Sequence, residues 1–425
     1  MVKRAIPGWI HPWPDSDPPR PVKKALSMKS QDVVFISHEA SRTGAPIILL
    51  HLLRWLRANT DLSFGVVLVL GGPIEEEFRR LAPVWVLVPD RLRAPASSRW
   101  RRRLQDIAIR LRRRWIRSRV SKTRPSLFYY NTVNTGWVAE SFASLGVASI
   151  YHIHELDWAI RMVGTHYITD MNRRGVPFLA GSFAVGASLK ANYGVADENL
   201  TVVPEFIEMP TPPAGDLVEA RREFRDRVGI PHDAAVVGGV GSTELRKGVD
   251  LLAKVAALLP KTKDGRPVHF VWLGGAPDGP FARQVKADAV RDGAGDRFHF
   301  LANSPRPFEV MTQFDVFAMT SREEALGIVM LEAATLGKPI VCFNGSGGPP
   351  EFVGDDAGFV VPHLDVRAMA DRIAELLEDP ALMAKMASAG KAKVEEQYTV
   401  DRAAPRILEV IRRELKTSGP TRAGR

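Results

Sequence analysis

The sequence of 425 residues has little of several features that define whole classes of proteins. Its one cysteine, Cys342, allows no internal disulfide and is typical of a reducing compartment. The longest apolar runs, residues 47–53 and 64–70, are far shorter than the roughly 18 residues that can span a bilayer. The N-terminal segment is broken by proline and has no apolar core of the signal-peptide kind. We therefore predict a cytoplasmic protein, free or peripheral on the inner face of the cell membrane.

Sequence signatures of cofactors and metals are also missing. No G-x-G-x-x-G follows a predicted strand, which argues against NAD. His152 and His154 lie on one face of a predicted strand, but no cysteine or acidic cluster at ligand spacing accompanies this pair. Asp15 and Asp17 form a D-x-D in a proline-rich arm without a preceding strand, and we interpret it as chance. The sequence predicts neither a metal site nor a bound cofactor.

Charge is concentrated in one segment, residues 91–124. It carries fourteen Arg and Lys residues against one acid, Asp106, so it contributes +13 to a net charge of +10 and the rest of the chain sums to −3. Within residues 99–121, apolar residues recur three to four apart among the arginines: Trp100, Leu104, Ile107, Leu111 and Trp115. This pattern favours a helix lying on anionic lipid headgroups, or an ordinary amphipathic helix packed on a sheet with a solvated arginine face. Nucleic acid is the less favoured partner, because no reading motif accompanies the charge.

The chain alternates between short apolar runs and longer amphipathic segments, which indicates a parallel α/β protein. The first series of predicted strands comprises residues 32–37, 64–70, 84–88, 127–131, 148–154, 178–182 and 200–205. A proline-rich linker near residues 209–215 precedes the second series, residues 235–241, 268–275, 298–303, 316–321, 339–344 and 358–362. Residues 365–417 are predicted to be helical.

This pattern predicts four parts in the chain. We expect an irregular arm over 1–31, a first domain over 32–208, a second domain over 209–398, and a C-terminal helix and tail over 399–425. Each domain is predicted to be a doubly wound, Rossmann-like sheet. The carboxyl ends of the two sheets should then face one another across a cleft, where ligands bind in such folds.

The most informative segment is residues 320–333, TSREEALGIVMLEA. A predicted strand ends there, a loop bears acids, and a helix opens near Gly327 and Ile328. The N-terminus of that helix suits a diphosphate, because its N–H groups are free and its dipole is positive. Glu324 and Glu332 have seven residues between them, about 12 Å if mostly helical, so their carboxylates could accept hydroxyl hydrogen bonds at opposite ends of one ligand.

Residues 320–333 resemble the E-x7-E motif of the family-four retaining glycosyltransferases, which have the GT-B fold. The turn NGSGGPPE at residues 344–351 is similar to the glycine-rich turn beside the donor site of that family. The resemblance implies that Glu324 contacts the donor sugar and that Glu332 contacts the ribose hydroxyls. It also implies that the domain over 209–398 binds a UDP- or GDP-sugar donor and that the domain over 32–208 is on the acceptor side. The C-terminal helix and tail over 399–425 would pack back on the first domain, and the reaction would need no metal.

Three further segments extend the resemblance. GSTELRKGVD at residues 241–250 is similar to the family's G-R-x-x-x-K-G, so Lys247 is expected on the diphosphate. The usual arginine is replaced by Ser242, which leaves Arg246 either as a second phosphate contact or as a solvated charge. SHEASRTGAP at residues 37–46 resembles the family's glycine loop, where Gly44 would let backbone approach the ligand. His154, at the end of a predicted strand, matches a family histidine near the donor sugar.

The resemblance implies a glycosyltransferase that moves a sugar from a UDP- or GDP-sugar to a glycan or lipid-linked acceptor, as in polysaccharide or glycoconjugate biosynthesis. The group assigned to the chemistry is His154, Glu324 and Lys247; the donor contacts are Gly44, Arg246, Lys247, Gly327, Ile328 and Glu332. Alternatives are a nucleotide-sugar epimerase on the same fold and a non-enzymatic polyanion-binding protein. A phosphorylase of the same fold is less favoured, because no lysine stands out as an attachment point for pyridoxal phosphate.

Overall fold

A computed structural model describes residues 31–89, 99–210, 217–260, 262–263, 265–304 and 306–417. Nearly all of the predicted N-terminal arm, with Asp15 and Asp17, and most of the proline-rich linker lie outside these residues. The described chain forms two sheets of parallel strands, each covered by helices on both faces.

The first sheet has seven strands in the order β3-β2-β1-β4-β5-β6-β7. Neighbouring strands are parallel, with register pairs such as Val33 opposite Phe64 and opposite Leu127. Its strands are β1 (Val33–Ser37), β2 (Phe64–Leu70), β3 (Val84–Val88), β4 (Leu127–Asn131), β5 (Ala148–Ile153), β6 (Phe178–Ala180) and β7 (Leu200–Val202). All five residues of β1 and of β4 are buried, as a strand covered on both faces requires.

The helices of this half return the chain between parallel strands. They are α1 (Gly44–Asn59), α2 (Glu75–Leu81), α3 (Arg99–Lys122), α4 (Gly136–Phe142), α5 (Asp157–Val163), α6 (Thr165–Arg173) and α7 (Phe183–Tyr193). The apolar positions of α1 that follow the helical period, including Leu49, Leu53 and Leu56, are buried.

The second sheet has the order β11-β10-β8-β12-β13-β14, with the short β9 pairing antiparallel to β10. Its strands are β8 (Ala235–Val240), β9 (Thr262–Lys263), β10 (Arg266–Leu273), β11 (Phe298–Leu301), β12 (Val316–Met319), β13 (Ile340–Phe343) and β14 (Gly358–Val361). Its helices are α8 (Leu217–Val228), α9 (Val249–Leu258), α10 (Pro280–Arg291), α11 (Pro307–Met311), α12 (Ile328–Thr335), α13 (Pro349–Val353), α14 (Val366–Glu378) and α15 (Pro380–Gln397). Since β8 lies at the centre, the loops after β8 and β12 are neighbours at one edge.

The last helix, α16 (Val400–Thr417), crosses back to the first sheet. It lies against α1, β4 and β5, and its apolar face, which includes Ile407 and Ile411, is buried. Trp55 Nε1 donates to Asp401 Oδ1 at 2.8 Å, and Arg406 donates to the Val202 carbonyl at 2.7 Å. The two domains are therefore joined by packing as well as by the chain between them.

Candidate active site

The loop between β12 and α12 brings the first acid of the motif to the carboxyl edge of the second sheet. Glu324 is 9% exposed, and its backbone N–H donates to the Ser346 carbonyl at 2.7 Å. Gly348 N–H donates in return to the Glu324 carbonyl at 3.0 Å, so the glycine-rich turn after β13 holds this loop. Gly327 has φ of 93°, a left-handed conformation that favours glycine, and α12 begins at the next residue.

Lys247 reaches the same carboxylate from the loop after β8. Its Nζ donates to Glu324 Oε2 at 2.5 Å, and Ser321 Oγ donates to the same oxygen at 3.1 Å. The lysine is placed by Gly248, which has φ of 73° and lies directly against the Thr320 carbonyl, where a Cβ would overlap it. The sequence thus brings two strand-end loops into contact through a position that only glycine fits.

Arg246 joins this cluster rather than standing in solvent. Its guanidinium donates to the Glu323 carbonyl at 2.9 Å and lies 3.7 Å from Glu324 Oε2. Burial alone would raise the pKa of Glu324, but the charges of Lys247 and Arg246 and the hydrogen bonds from Lys247 and Ser321 outweigh it. The pKa of Glu324 therefore lies below its usual range, and the carboxylate is ionised at neutral pH.

Glu332 lies on α12, partly buried, in a different electrostatic setting. Within the described part of the chain its carboxylate has no hydrogen-bond or ion-pair partner. Desolvation raises the pKa of Glu332 to about 7. An acceptor that is desolvated and unpaired is suited to hydroxyl groups of a ligand, which would supply the missing hydrogen bonds.

On the first domain, His154 follows β5, and its side chain is almost fully buried. Its Nε2 lies 3.1 Å from Asn131 Oδ1 and its Nδ1 lies 3.2 Å from Glu205 Oε1. The rings of His152 and His154 are 4.0 Å apart between centroids, while His152 Nδ1 lies 2.6 Å from the Tyr129 hydroxyl. Among the described residues, no three His, Cys, Asp or Glu side chains are grouped as metal ligands would be.

Glu205, which follows β7, connects the two domains and was not predicted from the sequence. Besides contacting His154, its Oε2 accepts a hydrogen bond of 3.1 Å from Gly327 N–H across the cleft. The acid thus lies at the helix N-terminus that the sequence assigned to a diphosphate. The signal available was an acid at the end of a predicted strand, but 122 residues separate the partners and no local pattern connects them.

Two further acids cross the cleft in the opposite direction. Glu323 accepts hydrogen bonds from the first N–H groups of α5, at Trp158 and Ala159. Glu351, on the short helix α13, accepts from Phe183 and Ala184 N–H at the start of α7. Each carboxylate complements the positive end of a helix in the other domain, so these contacts hold the cleft closed in this conformation.

The remaining predicted donor contacts are placed as follows. Gly44 opens α1 at the carboxyl edge of the first sheet, and a Cβ there would meet no protein atom within 4 Å. Asn131 Nδ2 donates to the adjacent Ala45 carbonyl at 3.0 Å, which links this helix start to the His154 cluster. The Ile328 side chain is buried in the core, so only its backbone faces the helix N-terminus.

Comparison with known proteins finds a family model and relatives similar to the second half of the chain. Residues 220–393 match the family model described as Glycosyl transferases group 1. A D-inositol 3-phosphate glycosyltransferase of Xylanimonas cellulosilytica is 31% identical over 229 residues, 53% of this chain and 54% of that protein. A GDP-mannose-dependent monoacylated alpha-(1-6)-phosphatidylinositol monomannoside mannosyltransferase of Corynebacterium glutamicum is 27% identical over 299 residues, 66% of this chain and 73% of that protein. The match therefore spans about half the length of the first relative.

Similarity to solved structures covers more of the chain. The crystal structure of Anabaena HepE in complex with UDP and glucose has a TM-score of 0.74 and 21% sequence identity, and the match covers 90% of this chain and 99% of that one. This likeness confirms the predicted fold: GT-B, with two Rossmann-like domains. No helix in the described ranges is long and apolar enough to cross a membrane.

Proposed function

We propose that the protein is a retaining glycosyltransferase, on the premise that residues 220–393 match the glycosyl transferases group 1 model and that the chain has the GT-B fold. It transfers a sugar from a UDP- or GDP-sugar to a glycan or lipid-linked acceptor in polysaccharide or glycoconjugate biosynthesis. The GDP-mannose-dependent relative and the UDP complex of the structural neighbour support both nucleotides as candidates.

The observation that carries the proposal is the set of groups around Glu324. An ionised carboxylate, two cations and the N-terminus of α12 meet at one edge of the cleft. Glu332 lies further along the same segment, about one turn into α12, which begins at Ile328. A nucleotide sugar has hydroxyl groups at both ends and a diphosphate between them, so its three parts correspond to these three groups.

Each group has a role in the proposed reaction. Lys247, Arg246 and the backbone N–H groups of Gly327 and Ile328 stabilise the diphosphate as the bond to the sugar breaks, since fixed positive charge is worth most where negative charge develops. On this proposal the diphosphate takes the place of Glu205 Oε2 at the Gly327 N–H. Glu332 accepts the ribose hydroxyls. Glu324 and His154 orient the donor sugar, while Gly44 leaves space for ligand beside the start of α1.

The reaction in this proposal needs no metal, because the lysine, the arginine and the helix dipole supply the positive charge that a divalent cation supplies elsewhere. We place it in the cytoplasm or at the inner face of the cell membrane. The single cysteine, Cys342, is buried and free, which is consistent with a reducing compartment.

Thermal-shift measurements with UDP, GDP, ADP and their sugars test the donor site. A ligand that binds only the native state must raise its melting temperature. We expect one nucleotide and its sugars to do so, and we expect Glu332→Ala to lose the shift. Glu395→Ala is the matched control, because Glu395 is an exposed acid on α15, distant in sequence from the motif.

Product analysis separates the rival functions. Conversion of the nucleotide sugar in the absence of any acceptor would identify an epimerase. A folded protein that responds to no nucleotide sugar, yet binds nucleic acid with strong salt dependence, would overturn the enzyme proposal in favour of polyanion binding.

A further inference from the structure

Helix α3 is held to the first domain by one of its faces. Ile116 and Val120 are fully buried in the core of that domain. Arg112 Nε donates to the Val86 carbonyl in the middle of β3 at 2.7 Å, and the Arg113 guanidinium lies 4.9 Å from the centroid of the Trp137 ring. These contacts fix the rotation of the helix about its axis, so its other face points away from the first domain.

That opposite face is an apolar stripe exposed to solvent. Its members are between 47% and 59% exposed: Trp100, Leu104, Ile107, Leu111 and Trp115. At about 100° per residue, the five side chains fall within an arc of about 80°, centred opposite Ile116 and Val120. The sequence left open that this apolar stripe packs on the sheet. That alternative is wrong, because the helix packs through Ile116 and Val120 instead.

Arginines border the stripe on both sides. The helix carries eleven Arg and Lys residues against one acid, Asp106. By the helical period, Arg103, Arg110 and Arg114 lie along one border, and Arg119 lies on the other with its guanidinium 5.2 Å from the centroid of the Trp115 ring. Apolar side chains with tryptophan at both ends, flanked by guanidinium groups, match the acyl and headgroup layers of an anionic membrane surface.

Two other occupants fit less well. A second copy of the chain would bring two helices of high positive charge face to face, and like charges repel. A nucleic acid could stack on the tryptophans and pair with the arginines, but it offers nothing to Leu104, Ile107 and Leu111 at the centre of the stripe. Of these three occupants, the lipid surface is the one that complements both the charge and the aliphatic centre.

The topology places this surface beside the cleft. Because β3 and β4 are both parallel to β1 and β2, α3 must run back against the strand direction, with its first residues toward the carboxyl edge. Arg112 contacts Val86, so the two elements can be measured from this level toward the carboxyl edge of the sheet. In that direction β3 extends by only two more residues, or about 7 Å, whereas residues 99–111 of α3 extend by about 18 Å. The Trp100 end of the stripe therefore extends past the sheet on the side where the cleft opens.

We propose that the stripe on α3 docks the protein on an anionic lipid bilayer, with the cleft edge of the first domain next to the membrane. The surface concerns where the protein is held and not how it binds a donor. It goes beyond the proposed transferase activity and does not depend on it.

Co-sedimentation of the full chain with vesicles tests the proposal. The vesicles are phosphatidylcholine alone, or phosphatidylcholine mixed with phosphatidylglycerol. We expect binding to the mixed vesicles only, with a residual component in high salt from the apolar contacts. In Leu104→Ser/Ile107→Ser/Leu111→Ser, which keeps every arginine, binding should fall by more than about tenfold, since the aliphatic side chains no longer enter the interface.

The control is Val290→Ser, which removes a side chain of 67% exposure from α10 of the second domain and should bind as the parent does. Unchanged vesicle binding by the triple variant would overturn the proposal, as would equal binding to neutral and anionic vesicles. A dimer in solution that dissociates in the triple variant would assign the stripe to a second copy instead. The assay contains no nucleotide sugar, so a failed donor site and a failed membrane surface give separate results.

Discussion

Replacement of Lys247 by methionine removes one cation from the cleft while it keeps the length of the side chain. Lys247 and Glu324 are 17% and 11% exposed at their side chains, so their contact of 2.5 Å is poorly screened by solvent. Removal of one donor to the charge that develops in a transition state costs a factor of about 10²–10³ in rate. Arg246 remains 3.7 Å from Glu324 and can serve the diphosphate in part, so we expect a loss near about 10².

The same substitution changes how stability depends on pH. In the parent the folded-state pKa of Glu324 is depressed, so its contribution to stability is present above the unfolded-state pKa and is lost as pH falls through the folded value. Without Lys247, burial is opposed mainly by Arg246 and the pKa rises. We expect the variant to lose about 3 kcal/mol or less at pH 7. The difference from the parent should narrow as pH falls through the raised pKa of Glu324 in the variant toward its depressed pKa in the parent.

Two assays check this reasoning. Initial rates with the nucleotide sugar that the thermal-shift screen selects give kcat/KM, and urea denaturation at several pH values gives the free energy of unfolding. Lys254→Met is the matched control. Lys254 is an exposed lysine on α9, and its Nζ lies 2.6 Å from Asp292 Oδ2. A Lys247→Met protein with kcat/KM within threefold of the parent would refute the role assigned to this cation, whatever its stability.

Two further outcomes are expected. Burial raises the pKa of Glu332 to about 7, and its ionised form is the better acceptor of ribose hydroxyl hydrogen bonds. Nucleotide affinity measured by isothermal titration calorimetry should therefore rise as pH increases through 7, and this pH dependence should vanish in Glu332→Gln. Gly248→Ala should prevent stable folding, or lower the free energy of unfolding in urea by several kcal/mol, because the added Cβ meets the Thr320 carbonyl at a positive φ. Gly175→Ala, with φ of 65° and open space around the Cβ, should lower it by only about 1–2 kcal/mol. Equal losses in the two variants would contradict the steric argument.

The fold was predictable because the apolar pattern of each strand segment agrees with the buried position that the strand takes in its sheet. Strands such as 64–70 and 84–88 are continuous apolar runs, and the structure has β2 and β3 over those residues. A run that is apolar at every position requires cover on both faces, which in turn requires a parallel sheet with helices on each side. The order of the strands follows from few rules once the alternation is known.

Details of the site depended on contacts that no local pattern contains. The sequence left Arg246 between two interpretations, and the structure places its guanidinium on the Glu323 carbonyl beside Glu324. Glu205 had no motif to mark it, since its partners His154 and Gly327 come from distant parts of the chain. Periodicity likewise identified the apolar face of α3 but could not tell whether that face is packed or exposed, because both have the same spacing.

The return of α16 to the first domain has a consequence for how the protein is made. Residues such as Ala404, Ile407 and Ile411 complete the core beneath β4 and β5, although about 250 residues separate them from those strands along the chain. During synthesis the first domain leaves the ribosome early, but the apolar surface under this helix stays uncovered until the second domain has also been translated. The domain that is synthesised first therefore completes its core last, and its exposed apolar surface is open to aggregation during that interval.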